Sequence, residues 1–148
     1  THREDGALMV HGSPREPTTE YILKHDAQAA AQNVPEAVRK MQDIFSQFEN
    51  LCMVGHTHIP CVITEQCQYM SDKDMNYEFK PEKGQKYVIN VGSVGQPRDR
   101  DIRACYVIWD DKRFIWRRVE YDVTGTARKI RALKELDDYN ADRLEQGV

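Results

Sequence analysis

Leu51-Cys52-Met53-Val54-Gly55-His56-Thr57-His58 is the stretch that decides how this chain reads. A short apolar run ending in glycine marks a buried strand that hands its loop to the edge of a sheet. Histidines at i and i+2 on such a loop can direct both imidazoles into one small volume, and neutral imidazole is the commonest protein ligand for divalent metals. A second junction, Ala7-Leu8-Met9-Val10-His11-Gly12-Ser13-Pro14, places a third histidine in the same setting. Each histidine alone reads more simply as a hydrogen-bonded turn residue. The three together point to metal.

Helices are expected on the amino-terminal side of that stretch. Pro14–Thr18 reads as a turn that starts a helix over about 19–32. Asn33-Val34-Pro35-Glu36 looks like a second helix start, with Asn33 as cap, proline in the first turn and Glu36 three residues on. Val34, Val38, Met41, Ile44, Phe45 and Phe48 then recur at helical spacing. Beyond Cys61 the period turns toward two, and 61–66, 87–91, 104–109 and 114–121 read as strands. The turn 110–113 joins the last two. The polar segment 68–86 reads as an excursion or surface hairpin, and Lys112-Arg113 and Arg117-Arg118 as a solvated hairpin face. Thr124–Leu136 is expected to be a closing helix with Ala127, Ile130, Leu133 and Leu136 inward, followed by a loosely packed tail. Trp109 and Trp116 read as hairpin core and cover, His25 as solvent-exposed, and His2 as a disordered chain end. The pattern gives an α/β fold with mixed sheets and helices outside them.

Composition narrows the function. The 148 residues suffice for one domain with a real core. A net charge of −3, with no basic stripe, argues against nucleic acid as partner. No apolar run approaches the roughly 20 residues that span a bilayer, and no export signal stands out, which argues against a membrane. Cys52 and Cys105 sit in apolar runs as small buried hydrophobes, while Cys61 and Cys67 lack the second pair a structural zinc site requires. Free thiols without an export signal suit the reducing cytoplasm.

A further string is Ile89-Asn90-Val91-Gly92-Ser93-Val94-Gly95-Gln96-Pro97-Arg98-Asp99. Glycines and a serine behind a strand can bring backbone N–H groups and a hydroxyl close to an anion, and Arg98 can pair with a phosphate oxygen. In its order behind His11-Gly12-Ser13-Pro14 and Gly55-His56-Thr57-His58-Ile59-Pro60, this string resembles the C-terminal half of the calcineurin-like metallophosphoesterases, in their small bacterial and archaeal phosphatase and phosphodiesterase branch. The resemblance covers nearly the whole chain, 1–148, as one partial domain. It implies a four-layer α/β/β/α sandwich with mixed β-sheets and two divalent metal ions (manganese, iron, nickel or zinc). Carried over by position, His11 and His56 resemble ligands of one metal and His58 of the other, while Ser93 and Arg98 resemble the phosphate side. No residue here resembles an acid–base catalyst.

The family's first half supplies an Asp-x-His pair, a Gly-Asp whose carboxylate bridges both metals, and an Asn-His pair. None of these strings occurs in this sequence. Three neutral imidazoles with no anion between two close dications do not balance charge. The resemblance therefore implies a C-terminal piece of a phosphomonoester or phosphodiester hydrolase, inactive alone, acting on a phosphorylated small molecule or phosphoprotein and completed by its missing N-terminal half or by a partner chain. The alternative is a non-catalytic protein-interaction module of the same fold.

Overall fold

The computed structural model describes residues 1–110 and 112–148. Nine strands and four helices are described: β1 (His2–Glu4), β2 (Ala7–Met9), α1 (Lys24–Ala31), α2 (Pro35–Ser46), β3 (Leu51–Val54), β4 (Cys61–Thr64), β5 (Tyr69–Ser71), β6 (Glu78–Phe79), β7 (Tyr87–Asn90), β8 (Ala104–Trp109), β9 (Phe114–Val119), α3 (Val123–Arg131) and α4 (Tyr139–Gln146). They form a six-stranded sheet ordered β1-β2-β3-β7-β4-β5 and a three-stranded sheet ordered β6-β9-β8. In the larger sheet β2, β3 and β7 run parallel, while β1, β4 and β5 pair antiparallel, so the sheet is mixed.

Strand alternation sorts the side chains into two cores. Leu8, Cys52, Val54, Ile63 and Val88 meet Ala27, Ala30, Met41, Ile44 and Phe45 of the helices. Their neighbours Ala7, Leu51, Val62, Tyr87 and Ile89 face the other way and pack on Cys105, Phe114 and Trp116 of the small sheet. A helix layer, a large sheet and a small sheet are thus stacked through two apolar interfaces. The expected α/β class with mixed sheets is what the chain adopts.

Several boundaries differ from the sequence expectation. The first helix starts at Lys24, not Thr19: Gly12 N donates to the Pro17 carbonyl and Ser13 N to the Glu16 carbonyl, so the chain turns back on itself first. The Ser13 hydroxyl, accepting from Arg15 N and Glu16 N, holds that turn in place of a helical ladder. Asn33 closes α1 instead of opening α2. It sits at φ 61°, donates to Ala30, and Val34 donates back to Ala29, the left-handed termination a helix commonly takes. Val34 therefore becomes the cap of α2, with Pro35 in its first turn.

The segment 68–86 is not a free surface hairpin. Its strand β5 pairs with β4 and its strand β6 with β9, so it crosses from one sheet to the other. Asp72, on the way, is buried with Arg118, whose side chain is only 3% exposed. Lys112 and Arg117 match the expected solvated face, while Arg113 and Arg118 are drawn into ion pairs. Arg118 also pairs with Asp99, which ties the loop after β7 to β9 and to the crossing segment. The turn expected at 110–113 includes Asp111, which lies outside the described residues; Asp110 and Arg113, at its ends, are ion-paired.

At the far end α3 stops at Arg131, leaving Leu133 and Leu136 exposed. The tail is not loose either. It folds as α4, buries Ala141 and Leu144, and docks through the Gly147 carbonyl, which accepts from Arg100 N. His2 is held in β1 opposite Met9, while His25 is exposed as expected. Trp116 is buried core, and Trp109 lies stacked on Phe114.

Removing one partner from a buried ion pair leaves uncompensated charge. Arg118→Leu is expected to cost about 3–5 kcal/mol, read as a lower urea midpoint at unchanged slope. A loss under about 1 kcal/mol, the scale of an exposed pair, would contradict a structural role for this network.

Candidate metal and phosphate site

The parallel register Leu8–Cys52–Val88 aligns the carboxyl ends of β2, β3 and β7 at one sheet edge. That edge is where open α/β sheets bind ligands. Pairing continues past the strands: Val10 N donates to Met53, Val91 N to Val54, and the His11 carbonyl accepts from Gly55 N at 3.0 Å and His56 N at 2.9 Å. The loops bearing His11 and His56 are thereby fastened backbone to backbone. Their imidazole centroids lie 4.5 Å apart, tilted by 57°.

His58 is held from another direction. Its backbone is left-handed, φ 59°, a conformation a non-glycine residue keeps only when its surroundings enforce it. The enforcement is visible: His58 N donates to Gly55 O at 2.8 Å, and its own carbonyl accepts from Arg98 N at 3.2 Å. Its Nδ1 lies 2.7 Å from the Gln96 carbonyl oxygen. A carbonyl only accepts, so this contact assigns the proton to Nδ1 and leaves the Nε2 lone pair available.

Asn90, at the end of β7, joins the two histidine-bearing regions. Buried to 1% exposure, its amide donates to Thr57 Oγ1 at 2.7 Å and to Gly55 O, and its side-chain oxygen accepts from Gly92 N. Trp116 Nε1 donates to the Asn90 carbonyl from the small sheet. Gly92 must be glycine twice over: its φ is +78°, and a Cβ there would lie 2.6 Å from Cys105 Sγ. Ser93 Oγ accepts from Gln96 N at 2.9 Å, which shapes the turn. Arg98 donates to Gln96 Oε1 at 3.2 Å and reaches Tyr21 Oη at 3.5 Å, while its Nε is buried with no partner. An open cleft of about 470 Å³ lies along this edge, lined among others by His11, Gly55, His58, Gly92 and Ser93.

Both His56 and His58 hold their protons less readily than an ordinary histidine. Burial is the largest cause for each. Neighbouring His11 and Arg98 add to it, and backbone contacts to Thr19 and Gln96 respectively oppose it. The neutral form, the one that can ligate a metal, is favoured.

The sequence-predicted residues His11, His56, His58, Ser93 and Arg98 all fall at this one edge. Sequence reasoning passed over Tyr21, Thr57 and Gln96, and valued Asn90 only as part of a string. Thr57 lies inside the decisive stretch and Asn90 inside the glycine-rich one. Tyr21 gave no signal, because its position depends on how the 12–23 loop folds back.

The donor set can be tested against the two-metal centre that the resemblance implies. Among the described residues, no three His, Cys, Asp or Glu side chains are gathered ready to hold a metal ion. The edge offers imidazole donors without a carboxylate to stand between two dications. It fits the histidine side of such a centre and not the whole, and no chemical step is assigned through a metal here. Cys61 is no ligand candidate, since burial pushes its thiol up to about 12.

No protein-family model matches the chain. It is 38% identical over 143 residues to an uncharacterised protein of Methanocaldococcus jannaschii, an alignment covering 95% of this chain and 51% of that one. A crystal structure of a metallophosphoesterase from Sphaerobacter thermophilus superposes with a TM-score of 0.75 at 34% identity, covering 99% of this chain and 57% of that chain. The chain thus spans about half the length of the relatives it matches. It shares sequence and a mixed-sheet α/β fold with a metallophosphoesterase over its own length.

Folded-state depression of the two histidine pKa values carries a sign. Below the ordinary value of about 6.5 the unfolded chain binds more protons than the folded one, so stability falls as pH drops through that region. Ring-proton NMR titration is expected to show His56 and His58 both half-protonated below pH 6.5. Midpoints at or above that value would contradict the half-buried, cation-flanked setting.

Proposed function

We propose that this chain supplies the histidine and phosphate-facing side of a divalent-metal-dependent phosphoesterase. In the completed domain a bound divalent metal would supply the activated water for hydrolysis of a phosphomonoester or phosphodiester, without a covalent enzyme intermediate. His11, His56 and His58 would hold two divalent ions (manganese, iron, nickel or zinc) there. Ser93 and Arg98 serve the phosphate. The bridging carboxylate comes from polypeptide outside these residues, either an N-terminal half of the same domain or a partner chain. The substrate is a phosphorylated small molecule or phosphoprotein.

The observation that supports this reading is that the carboxyl ends of adjacent parallel strands bring the His11 and His56 imidazoles to 4.5 Å, while His58 beside them is held with its proton on Nδ1 and Nε2 free. Likeness to a metallophosphoesterase at 34% identity supports it. No described helix is long and apolar enough to cross a membrane. The free thiols fit a reducing compartment such as the cytoplasm.

One observation favours a second reading, that of a non-catalytic interaction module: among the described residues, no carboxylate joins the imidazoles. A single experiment separates the two. The natural protein, isolated from its source, is stripped of metal and assayed on p-nitrophenyl phosphate and bis-p-nitrophenyl phosphate with each divalent ion added back. Metal-dependent turnover is expected. His56→Ala or His58→Ala is expected to lower kcat/KM by more than about 100-fold, beyond the cost of losing an outer-shell partner. Turnover undiminished in both variants would overturn the assignment. No turnover with any ion, in a stoichiometric complex with another protein, would establish the interaction module instead.

A further inference from the structure

Tyr21 has no role in the reading above, yet its ring lies on His56 with centroids 4.1 Å apart and planes within 10°. Its hydroxyl is 3.5 Å from Arg98 Nη1, the guanidinium whose Nε is buried with no partner among the described residues. One side chain thus touches both a histidine of the loop after β3 and the arginine of the loop after β7.

Its position is built, not accidental. Gly12 donates to the Pro17 carbonyl at 2.7 Å, and a Cβ at Gly12 would lie 2.7 Å from the Glu16 carbonyl oxygen, so the loop turns back tightly there. Ser13, fully buried, accepts from Arg15 N and Glu16 N and bonds the Glu20 carboxylate. Lys40 of α2 then donates to the Tyr21 carbonyl at 2.9 Å while pairing with Asp26 at 2.9 Å. The backbone at Tyr21 is anchored to the helix layer on one side, and its ring reaches the sheet edge on the other. At 38% exposure the ring borders solvent without being free in it.

We propose that Tyr21 is a positioning residue of this site: its ring fixes the plane of the His56 imidazole, and its hydroxyl fixes the Arg98 guanidinium for a phosphate oxyanion. This rests on the phosphoesterase reading and adds a division of labour within one side chain. Ring stacking restricts rotation of the imidazole and so preorients the metal-binding nitrogen, as outer-shell partners of ligating histidines generally do. The hydroxyl contact restricts a long side chain that otherwise loses rotamer freedom on meeting an anion. The two effects are chemically separable, because phenylalanine retains the ring and loses the hydroxyl.

The test uses the natural protein with Tyr21→Phe and Tyr21→Leu. Three readouts are taken: His56 ring-proton shifts in the metal-free state, calorimetric binding of Zn²⁺ alone, and binding of inorganic phosphate. Tyr21→Leu is expected to move the His56 shifts by removing the ring current and to weaken Zn²⁺ about tenfold. Tyr21→Phe is expected to leave the shifts and Zn²⁺ affinity in place while weakening phosphate about 3–10-fold. A purely structural tyrosine would not split the two ligands in that way. Unchanged His56 shifts in Tyr21→Leu, or equal losses of both ligands in Tyr21→Phe, would overturn the proposal. If the parent protein binds neither Zn²⁺ nor phosphate, the phosphoesterase reading fails; the His56 shifts then decide alone whether Tyr21 holds that ring.

Discussion

The site depends on a single buried amide. Asn90 closes β7 and reaches sideways to Thr57 and Gly55 while accepting from Gly92. An unpaired buried amide costs far more than an ordinary hydrogen bond contributes, so the loops after β3 and β7 must meet it. Trp116 fixes the same residue from the small sheet through its indole N–H. The two sheets, and two of the loops that carry the site, are in this way tied to one residue, the loops through its side-chain amide and the small sheet through its main-chain carbonyl. The alignment of His56 and His58 with Ser93 and Arg98 follows from that arrangement.

Much of this was legible in the residues. Apolar runs ended by Gly55 or by His11-Gly12 announced strands delivering loops to a sheet edge, and the parallel register brought those loops together. The period change after Cys61 announced the second set of strands. What was not legible depended on contacts distant in sequence. Arg118 beside Arg117 reads as hairpin surface until Asp72 and Asp99 arrive from 46 and 19 residues away. Asn33 looks equally like a helix start and a helix stop, because asparagine suits both the cap and the left-handed turn. The 19–23 stretch reads as the start of a helix, and only the turn-back made by the bonds of Gly12 and Ser13 ahead of it shows why the helix begins at Lys24.

The electrostatics of the edge define its chemistry. Burial, with the neighbouring Arg98 guanidinium, loosens the protons of His56 and His58, which suits them to a partial ligand set. Arg98 and the glycine-rich turn bias the same edge toward anions. A divalent ion and a phosphoester oxygen both suit such an environment once a carboxylate joins it. The left-handed His58 and the tightly turned 12–23 loop are held by backbone contacts within the chain itself.

The most direct measurement is anomalous diffraction from crystals of the natural protein loaded with zinc or manganese. The account predicts anomalous peaks at about 2.0–2.3 Å from nitrogens of at least two of His11, His56 and His58, the ordinary range for metal–imidazole bonds. Metal bound only elsewhere, with the three imidazoles unliganded, would contradict it.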